Sequence, residues 1–289
     1  MRIQRTATVL AALGLAVSLA ACGSSSDETK VEVKKASGLT GVPQQIADKG
    51  KIKIGVKFDQ PGISAKEPGS DAPVGFDDDM GKIIAGQLGI GESDIEWIET
   101  VSDNRESFLK DGTVDLVIAS YSITDDRRKV VGQAGPYYVT GQQLLVRAAD
   151  AEKIAGPDDL KNVKVCSVEG STSLQRVEEE YGAKPVPFST YSECVDQLEN
   201  KTVDAVTTDG AILLGYAAKN PDELKVVGDA FSEERYGIGY KQGAAGMCDF
   251  LNKTLQASFD DGKWAEAFKN TLGKSGVDTP EAPTLDACP

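Results

Sequence analysis

KIKIGV at residues 51–56 and VDLVIA at residues 114–119 frame the first folded unit of the chain. The first run alternates polar and apolar residues and the second is almost wholly apolar, so each predicts a short strand. The sequence between them predicts three further elements: a helix over 75–89, a strand over 95–99 and a short helix over 104–110. This β-α-β-α-β order is typical of a mostly parallel sheet flanked by helices, and hence of an α/β fold.

The same alternation returns after residue 150. Strands are predicted over 163–167, 185–188 and 204–208, and helices over 172–181, 191–200 and 212–219. The chain therefore contains two successive α/β units.

Two segments of extended character, residues 142–147 and 226–240, connect these units. The last helical stretch, residues 248–272, carries Trp264 and Phe268, and we expect it to cover the first unit because its apolar face needs a partner. The chain would then cross twice between two lobes joined by a two-stranded hinge. We expect one lobe over 46–145 together with 235–289, and the other over 146–234. A cleft at the carboxyl ends of the strands would bind a small molecule.

The composition narrows the classes of function. The 289 residues include 45 acidic and 31 basic residues, which give a net charge of −14, and no histidine. An acidic chain argues against nucleic acid as a partner, because phosphate binding needs a basic surface. The lack of histidine excludes Ser-His-Asp and Cys-His catalysis and removes the most common zinc and copper ligand. We expect neither a metal nor a cofactor.

The N-terminus reads as an export signal over residues 1–21. Arg2 and Arg5 precede an uncharged apolar run over 6–20, which is too short to span a membrane. The string LAAC at 19–22, followed by GSSSDE, resembles the lipobox of bacterial lipoproteins. The resemblance implies cleavage before Cys22, a lipid on its thiol, and a flexible tether over 22–45. The alternative is an ordinary signal peptide in which Cys22 is incidental.

Four further cysteines, Cys166, Cys194, Cys248 and Cys288, fit an exported protein, because disulfides persist outside the cytoplasm. Four cysteines allow three pairings. We favour Cys166 with Cys194 and Cys248 with Cys288, since each pair then stays within one region of the chain. A metal site is the alternative, but the sequence has neither a CxxC motif nor a histidine to support one.

Six short motifs, in order, resemble the extracytoplasmic amino-acid-binding proteins that supply ATP-binding-cassette (ABC) importers. They are VGFD (74–77), VDLVIA (114–119), SITDDR (122–127), GPYY (135–138), EGST (169–172) and VDAVTTD (203–209). The resemblance covers residues 51–272 and implies the two-lobed, type II periplasmic-binding-protein fold and a monomer. Asp78 departs from the family, which usually has an apolar residue there, and we expect it to affect local helix packing.

The resemblance also implies how an amino acid's backbone groups are held. Arg127 would clamp the α-carboxylate, because a planar guanidinium can hold a carboxylate bidentately, and Ser122 and Thr172 would donate hydrogen bonds to it from opposite lobes. Asp209, helped by Ser120, would take the α-ammonium. The alternatives are a surface arginine in a charged run for Arg127, a helix N-cap for Asp209, and strand-end or cap roles for the hydroxyl residues.

The side-chain end of the predicted site carries positive charge. Lys57 stands where relatives that bind basic amino acids have an aspartate, and Ser102 and Arg105 lie in SDNR, similar to the Ser-x-Asn-Arg motif of glutamate and aspartate binders. Tyr191 occupies a family position near the ligand in some acidic-amino-acid binders. Two cations aimed at a ligand side chain select an anionic one, L-glutamate or L-aspartate. Glutamine stays open, as do an exposed Lys57, a helix-surface Arg105 and a structural Tyr191.

These features predict a lipid-anchored extracytoplasmic protein that captures glutamate or aspartate by lobe closure and delivers it to an ABC permease. A sensor that reports the same ligands to a membrane partner would use the same site. An enzyme resembling the dehydratases of this fold would need a protonated carboxylic acid. Asp209 is the only obvious acid in the predicted site and the ammonium already explains it, so we expect no enzyme.

Overall fold

The computed structural model describes residues 31–289. The predicted signal peptide and Cys22 lie outside the described residues. The strands are β1 (Ile52–Val56), β2 (Asp59–Gln60), β3 (Ser64–Ala65), β4 (Ile95–Glu99), β5 (Leu116–Val117), β6 (Gly132–Thr140), β7 (Gln142–Arg147), β8 (Lys164–Val168), β9 (Lys184–Phe188), β10 (Ala205–Asp209), β11 (Leu224–Val227) and β12 (Glu234–Tyr240). The α-helices are α1 (Gly41–Lys49), α2 (Phe76–Gln87), α3 (Arg105–Asp111), α4 (Asp125–Arg128), α5 (Thr172–Glu179), α6 (Tyr191–Glu199), α7 (Gly210–Lys219), α8 (Met247–Asp260) and α9 (Lys263–Asn270).

Two five-stranded sheets form the two lobes. The first has the order β4-β1-β5-β12-β6 and the second β11-β7-β10-β8-β9. In each sheet four strands run in the same direction and one runs opposite to them, β12 in the first sheet and β7 in the second, so both sheets are mixed. The alternation of strands and helices in the sequence correctly predicted the α/β class and the two units.

The chain crosses between the lobes twice. Gly141 separates β6 of the first sheet from β7 of the second, and residues 228–233 return the chain from β11 to β12. The two crossing segments lie side by side, because Thr140 pairs with Glu234. The lobe boundary expected after residue 145 therefore moves to Gly141, since the whole of β7 pairs with β10 and β11 in the second sheet.

The first lobe is built around an aromatic cluster. Phe76 at the start of α2 packs against Tyr137, Tyr138, Trp264 and Phe268, with ring centroids 5.3–6.2 Å apart. The indole of Trp264 also donates a 2.8 Å hydrogen bond to the carbonyl of Tyr137. Helices α8 and α9 thus cover the first lobe, as the apolar pattern of residues 248–272 predicted.

The predicted tether over 22–45 is wrong over its last residues, which belong to the fold of the first lobe. Helix α1 begins at Gly41 and buries Pro43, and the amide of Lys34 donates to the carbonyl of Gly86.

Asp78, the departure from the family pattern, is fully buried and accepts a 2.8 Å hydrogen bond from Ser64. Burial raises the pKa of Asp78 well above its usual range.

The disulfides join the favoured pairs. Cys166 in β8 is bonded to Cys194 in α6, and Cys248 in α8 is bonded to Cys288 near the C-terminus. Each bond therefore stays within one lobe. Among the described residues, the structure contains no helix with the length and hydropathy needed to cross a membrane.

Candidate functional site

A small polar cavity lies between the lobes, where the strands of both sheets end. Eight of the nine predicted ligand-binding residues line it: Ser102, Arg105, Ser120, Ser122, Arg127, Thr172, Tyr191 and Asp209. Lys57 lies behind Ser102 instead. Sequence analysis missed Ser171, Ser173, Thr208 and Ile212, although all four stand within three residues of a predicted site residue. The sequence signal that could have identified these four residues is their position within or next to the EGST and VDAVTTD motifs.

Arg127 is held at the mouth of the cavity by contacts from both lobes. Its Nη1 donates to the carbonyl of Ser122 at 2.7 Å, its Nη2 donates to the carbonyl of Gly170 at 2.9 Å, and its Nε lies 3.3 Å from a carboxylate oxygen of Glu106. These contacts use three of the five guanidinium N–H groups. The remaining two belong to different terminal nitrogens, and one N–H from each can hold a carboxylate bidentately. Arg127 is therefore not a surface arginine.

Arg105 is buried, with 2 % of its surface exposed, which contradicts a helix-surface position. Its Nε donates to the carbonyl of Ser102, its Nη1 to the carbonyls of Ala119 and Ser120, and its Nη2 to Gly170, all at 3.0–3.2 Å. Four of the five N–H groups thus go to backbone oxygens. Arg105 fixes the loop ends of the first lobe and reaches the second, and it keeps one N–H for a ligand.

Tyr121 supports both arginines. The guanidinium carbons of Arg105 and Arg127 lie 4.6 and 4.9 Å from the centre of its ring. The hydroxyl of Tyr121 donates a 2.7 Å hydrogen bond to Glu106, which also pairs with Arg127. Cation–π contact and this shared carboxylate keep two like charges close together.

Lys57 follows β1 and is 4 % exposed, so it is not an exposed strand-end lysine. Its ammonium donates a 2.8 Å hydrogen bond to the hydroxyl of Ser102, which itself lines the cavity. Burial, and then the charge of Arg105, hold the pKa of Lys57 well below its usual range. The carboxylates of Asp59 and Asp77 act in the opposite direction, and an anionic group placed against Ser102 would add to their effect.

Asp209 ends β10 at the opposite wall of the cavity. Its Oδ2 accepts a 2.6 Å hydrogen bond from the hydroxyl of Tyr236, and its buried Oδ1 has no hydrogen-bond partner within residues 31–289. Although Asp209 stands at the N-cap position of α7, its side chain makes no capping bond. Burial, and then the nearby Glu234, raise the pKa of Asp209 to about 7. An ammonium ion would satisfy the free oxygen and stabilise the charged form.

The hydroxyl of Thr172 has a partner that the sequence did not predict. Its hydroxyl donates a 3.0 Å hydrogen bond to Glu234, a buried carboxylate on β12 that sequence analysis missed. A hydroxyl has one proton, so this side chain cannot also donate to a ligand carboxylate. The backbone N–H of Thr172, in the first turn of α5, is the donor that this position offers.

Ser120 and Tyr191 complete the walls. Ser120 has φ of 42°, and its amide donates a 2.8 Å hydrogen bond to Asp77, whose other oxygen accepts from Tyr137 at 2.6 Å. Asp77 therefore orients the loop that presents Ser120 to the cavity. Burial raises the pKa of Asp77 to about 6.

Tyr191 begins α6 on the other side of the cavity. Burial raises the pKa of its hydroxyl to about 12, so the hydroxyl stays protonated.

The chain is similar to known amino-acid-binding proteins over most of its length. The chain is 35 % identical to the glutamate-binding protein GluB of Corynebacterium glutamicum over 94 % of this chain and 92 % of that protein. It is also 35 % identical to the ABC transporter glutamine-binding protein GlnH of Bacillus subtilis, over 91 % and 95 %. The solved structure of an ancestral arginine-binding protein bound to arginine superposes with a TM-score of 0.71 at 34 % identity, and covers 77 % of this chain and 98 % of that one.

The sequence pattern that defines the bacterial extracellular solute-binding proteins of family 3 matches residues 52–274, from the first strand to the end of the last helical region. With this match, two lobes and a polar cavity between them, the chain belongs to family 3 of the bacterial extracellular solute-binding proteins.

Proposed function

We propose that this amino-acid-binding protein of the ABC-importer type captures L-glutamate, or L-aspartate, between its lobes. Relatives that bind glutamate and glutamine are equally similar to the chain, so overall identity does not choose between them. The observation that carries the proposal is Lys57, a buried ammonium whose one side-chain hydrogen bond in the described part of the chain goes to Ser102 at the cavity wall. A ligand carboxylate beside Ser102 would compensate this charge, whereas a neutral amide would not.

The free groups around the cavity fit the three charges of glutamate. Arg127 offers two N–H groups and α5 the backbone N–H of Thr172 to the α-carboxylate. Asp209 offers its free oxygen to the α-ammonium. Lys57, Ser102 and the last N–H of Arg105 are left for the side-chain carboxylate.

Ligand capture would work through closure of the lobes. Arg127 belongs to the first lobe, and Thr172 and Asp209 belong to the second, so a ligand that contacts all three stabilises only the closed form. The closed protein would then deliver its ligand to an ABC permease. No step changes the ligand chemically, so we propose a binding protein and not an enzyme.

We further propose that the protein is exported and anchored to the outer face of the cell membrane by a lipid on Cys22. The support is the LAAC string after an uncharged apolar run and before a polar segment. Replacing Cys22 with alanine should move the protein from the membrane fraction to the soluble extracytoplasmic fraction. If the variant stays with the membrane, the lipid anchor is wrong.

Calorimetry on the purified protein tests the ligand. The protein is first unfolded and refolded to remove bound amino acid, and is then titrated with glutamate, aspartate, glutamine, asparagine and arginine. Tight binding of glutamate or aspartate alone supports the proposal. A preference for glutamine or arginine would retain the Arg127 clamp and contradict the role given to Lys57.

A further inference from the structure

Asp59, in the first lobe, binds the N-terminus of a helix in the second lobe. Its Oδ2 accepts hydrogen bonds from the backbone amides of Tyr191 and Ser192, the first two residues of α6, at 2.7 and 3.2 Å. Tyr216, on α7, donates its hydroxyl to the carbonyl oxygen of Asp59 and lies 3.3 Å from the same carboxylate oxygen. One residue of the first lobe is thus bound by two helices of the second.

The N-terminus of α6 offers two backbone amides to a carboxylate from another part of the chain. Its own capping box joins Thr190 and Glu193, in which the hydroxyl of Thr190 accepts from the third amide of the helix. The amides of Tyr191 and Ser192 remain, and these are the two that Asp59 takes. A carboxylate at this position also interacts favourably with the helix dipole, so the contact between lobes is charge-assisted.

This contact needs the lobes to be closed. Asp59 lies on β2, and the next loop residue, Pro61, packs so tightly against α7 that a Cβ on Gly215 would lie 2.1 Å from the carbonyl oxygen of Pro61. Separation of the lobes would break the bonds of Asp59 and expose two amides of α6 to water. Asp59 is not among the residues that line the ligand cavity.

We propose that Asp59 is a positioning residue for ligand capture, a latch between the lobes that stabilises the closed form and slows ligand release without touching the ligand. The affinity of a protein that binds in its closed form is proportional to the population of that form. A latch therefore acts on every ligand equally. This inference holds whichever amino acid the protein binds, so it goes beyond the choice of glutamate.

The test is stopped-flow binding on the purified protein, with the amino acids that calorimetry shows to bind. For Asp59→Asn we expect the dissociation rate to rise about tenfold, and for Asp59→Ala more, because hydrogen bonds to a charged group are lost. The association rate should change little. The ratio of affinities for two ligands of the same net charge should stay as in the unmodified protein; the ligands must match in charge because the carboxylate of Asp59 also acts on the pKa of Lys57. Asp71→Asn, at an exposed carboxylate of the same lobe, is the charge-matched control.

Tyr216→Phe removes the second contact, and a double-mutant cycle with Asp59→Asn should show that the two effects on dissociation are not additive. Lower thermal stability of the ligand-free variant with an unchanged dissociation rate would mean a merely structural role and would overturn the proposal. A changed ratio between two ligands of the same net charge would also overturn it, because Asp59 would then be reading the ligand itself.

Discussion

The hydroxyl of Tyr236 donates a 2.6 Å hydrogen bond to Oδ2 of Asp209, and this bond joins the first lobe to the second beside the cavity. Tyr236 lies on β12, the strand that re-enters the first sheet, and Asp209 ends β10 in the second. The bond leaves Oδ1 of Asp209 buried and available to a ligand. The strength of the Tyr236–Asp209 hydrogen bond depends on whether Asp209 is ionised, and so does the ability of Asp209 to bind an ammonium ion. Ligand binding should therefore depend on pH.

Ligand affinity should fall as the pH is lowered through about 7. The pKa of Asp209 is raised to about 7, and an ammonium ion binds only to the ionised carboxylate. Below pH 7 binding must therefore expel a proton, which costs about tenfold in affinity for each pH unit. Calorimetry between pH 5.5 and 8.5 measures this dependence.

Tyr236→Phe provides the internal check on this pH dependence. Removing a hydrogen bond that stabilises the carboxylate should raise the pKa of Asp209 further and move the profile to higher pH. Asp209→Asn should bind weakly at every pH in the range. A dissociation constant that stays constant from pH 6 to 8 in the unmodified protein would contradict the role of Asp209.

Lys57→Met should change the choice of ligand. The variant keeps the shape of the side chain and removes the buried charge, so glutamate should bind about a hundredfold more weakly and glutamine should change by less than about threefold. Lys51→Met, at an exposed lysine just before β1, should change neither. Equal losses for both ligands in Lys57→Met would show that Lys57 does not read the ligand side chain.

Gly170→Ala should hold the lobes apart. Gly170 has φ of 72°, its carbonyl accepts from Arg105 and Arg127, and a Cβ there would lie 2.8 Å from the backbone Cα of Asp103 in the other lobe. Affinity should fall more than about tenfold for all ligands, because the closed form becomes less populated. Small-angle scattering with saturating ligand should show an open particle.

Gly182→Ala is the matched control for Gly170→Ala. Gly182 has φ of 60°, but a Cβ there would meet nothing within 4 Å. Both variants carry the cost of a non-glycine residue at positive φ, and both should melt slightly earlier. If both lose ligand affinity equally, backbone strain and not obstructed closure explains the loss.

Each disulfide should contribute measurably to stability. Cys166–Cys194 closes a separation of 28 residues and Cys248–Cys288 one of 40, so the chain-entropy estimate is about 3 to 4 kcal/mol for each. Urea unfolding of the two paired Cys→Ala variants measures these values. Only the loss of Cys166–Cys194 should also weaken ligand binding, since it frees α6, which carries Tyr191. Equal binding in both variants would contradict this coupling.

Local pattern was sufficient for most elements, but tertiary contacts set some of their ends. The strand predicted over 95–99 matches β4 in both of its ends. The strand predicted over 114–119 is shorter in the structure: β5 covers Leu116–Val117, and the amides of Asp115 and Ile118 on either side still donate to carbonyls of β1. Beyond it the chain turns at Ser120, whose amide is held by Asp77 from α2, and such a distant partner leaves no mark on local periodicity.

The sequence by itself determined the two α/β units and placed a cleft at the carboxyl ends of their strands, because parallel strands bring those ends to one edge. It favoured the disulfide pairs that stay within one lobe, and its resemblance to a known family implied the residues around the cleft. Only the tertiary structure decided which groups accept hydrogen bonds from these side chains and from the backbone amides beside them. Thr172 donates to Glu234, Arg105 to backbone carbonyls, and the amides of α6 to Asp59. In each case the partner lies distant in sequence, at a position set by the packing of the two sheets and their hinge.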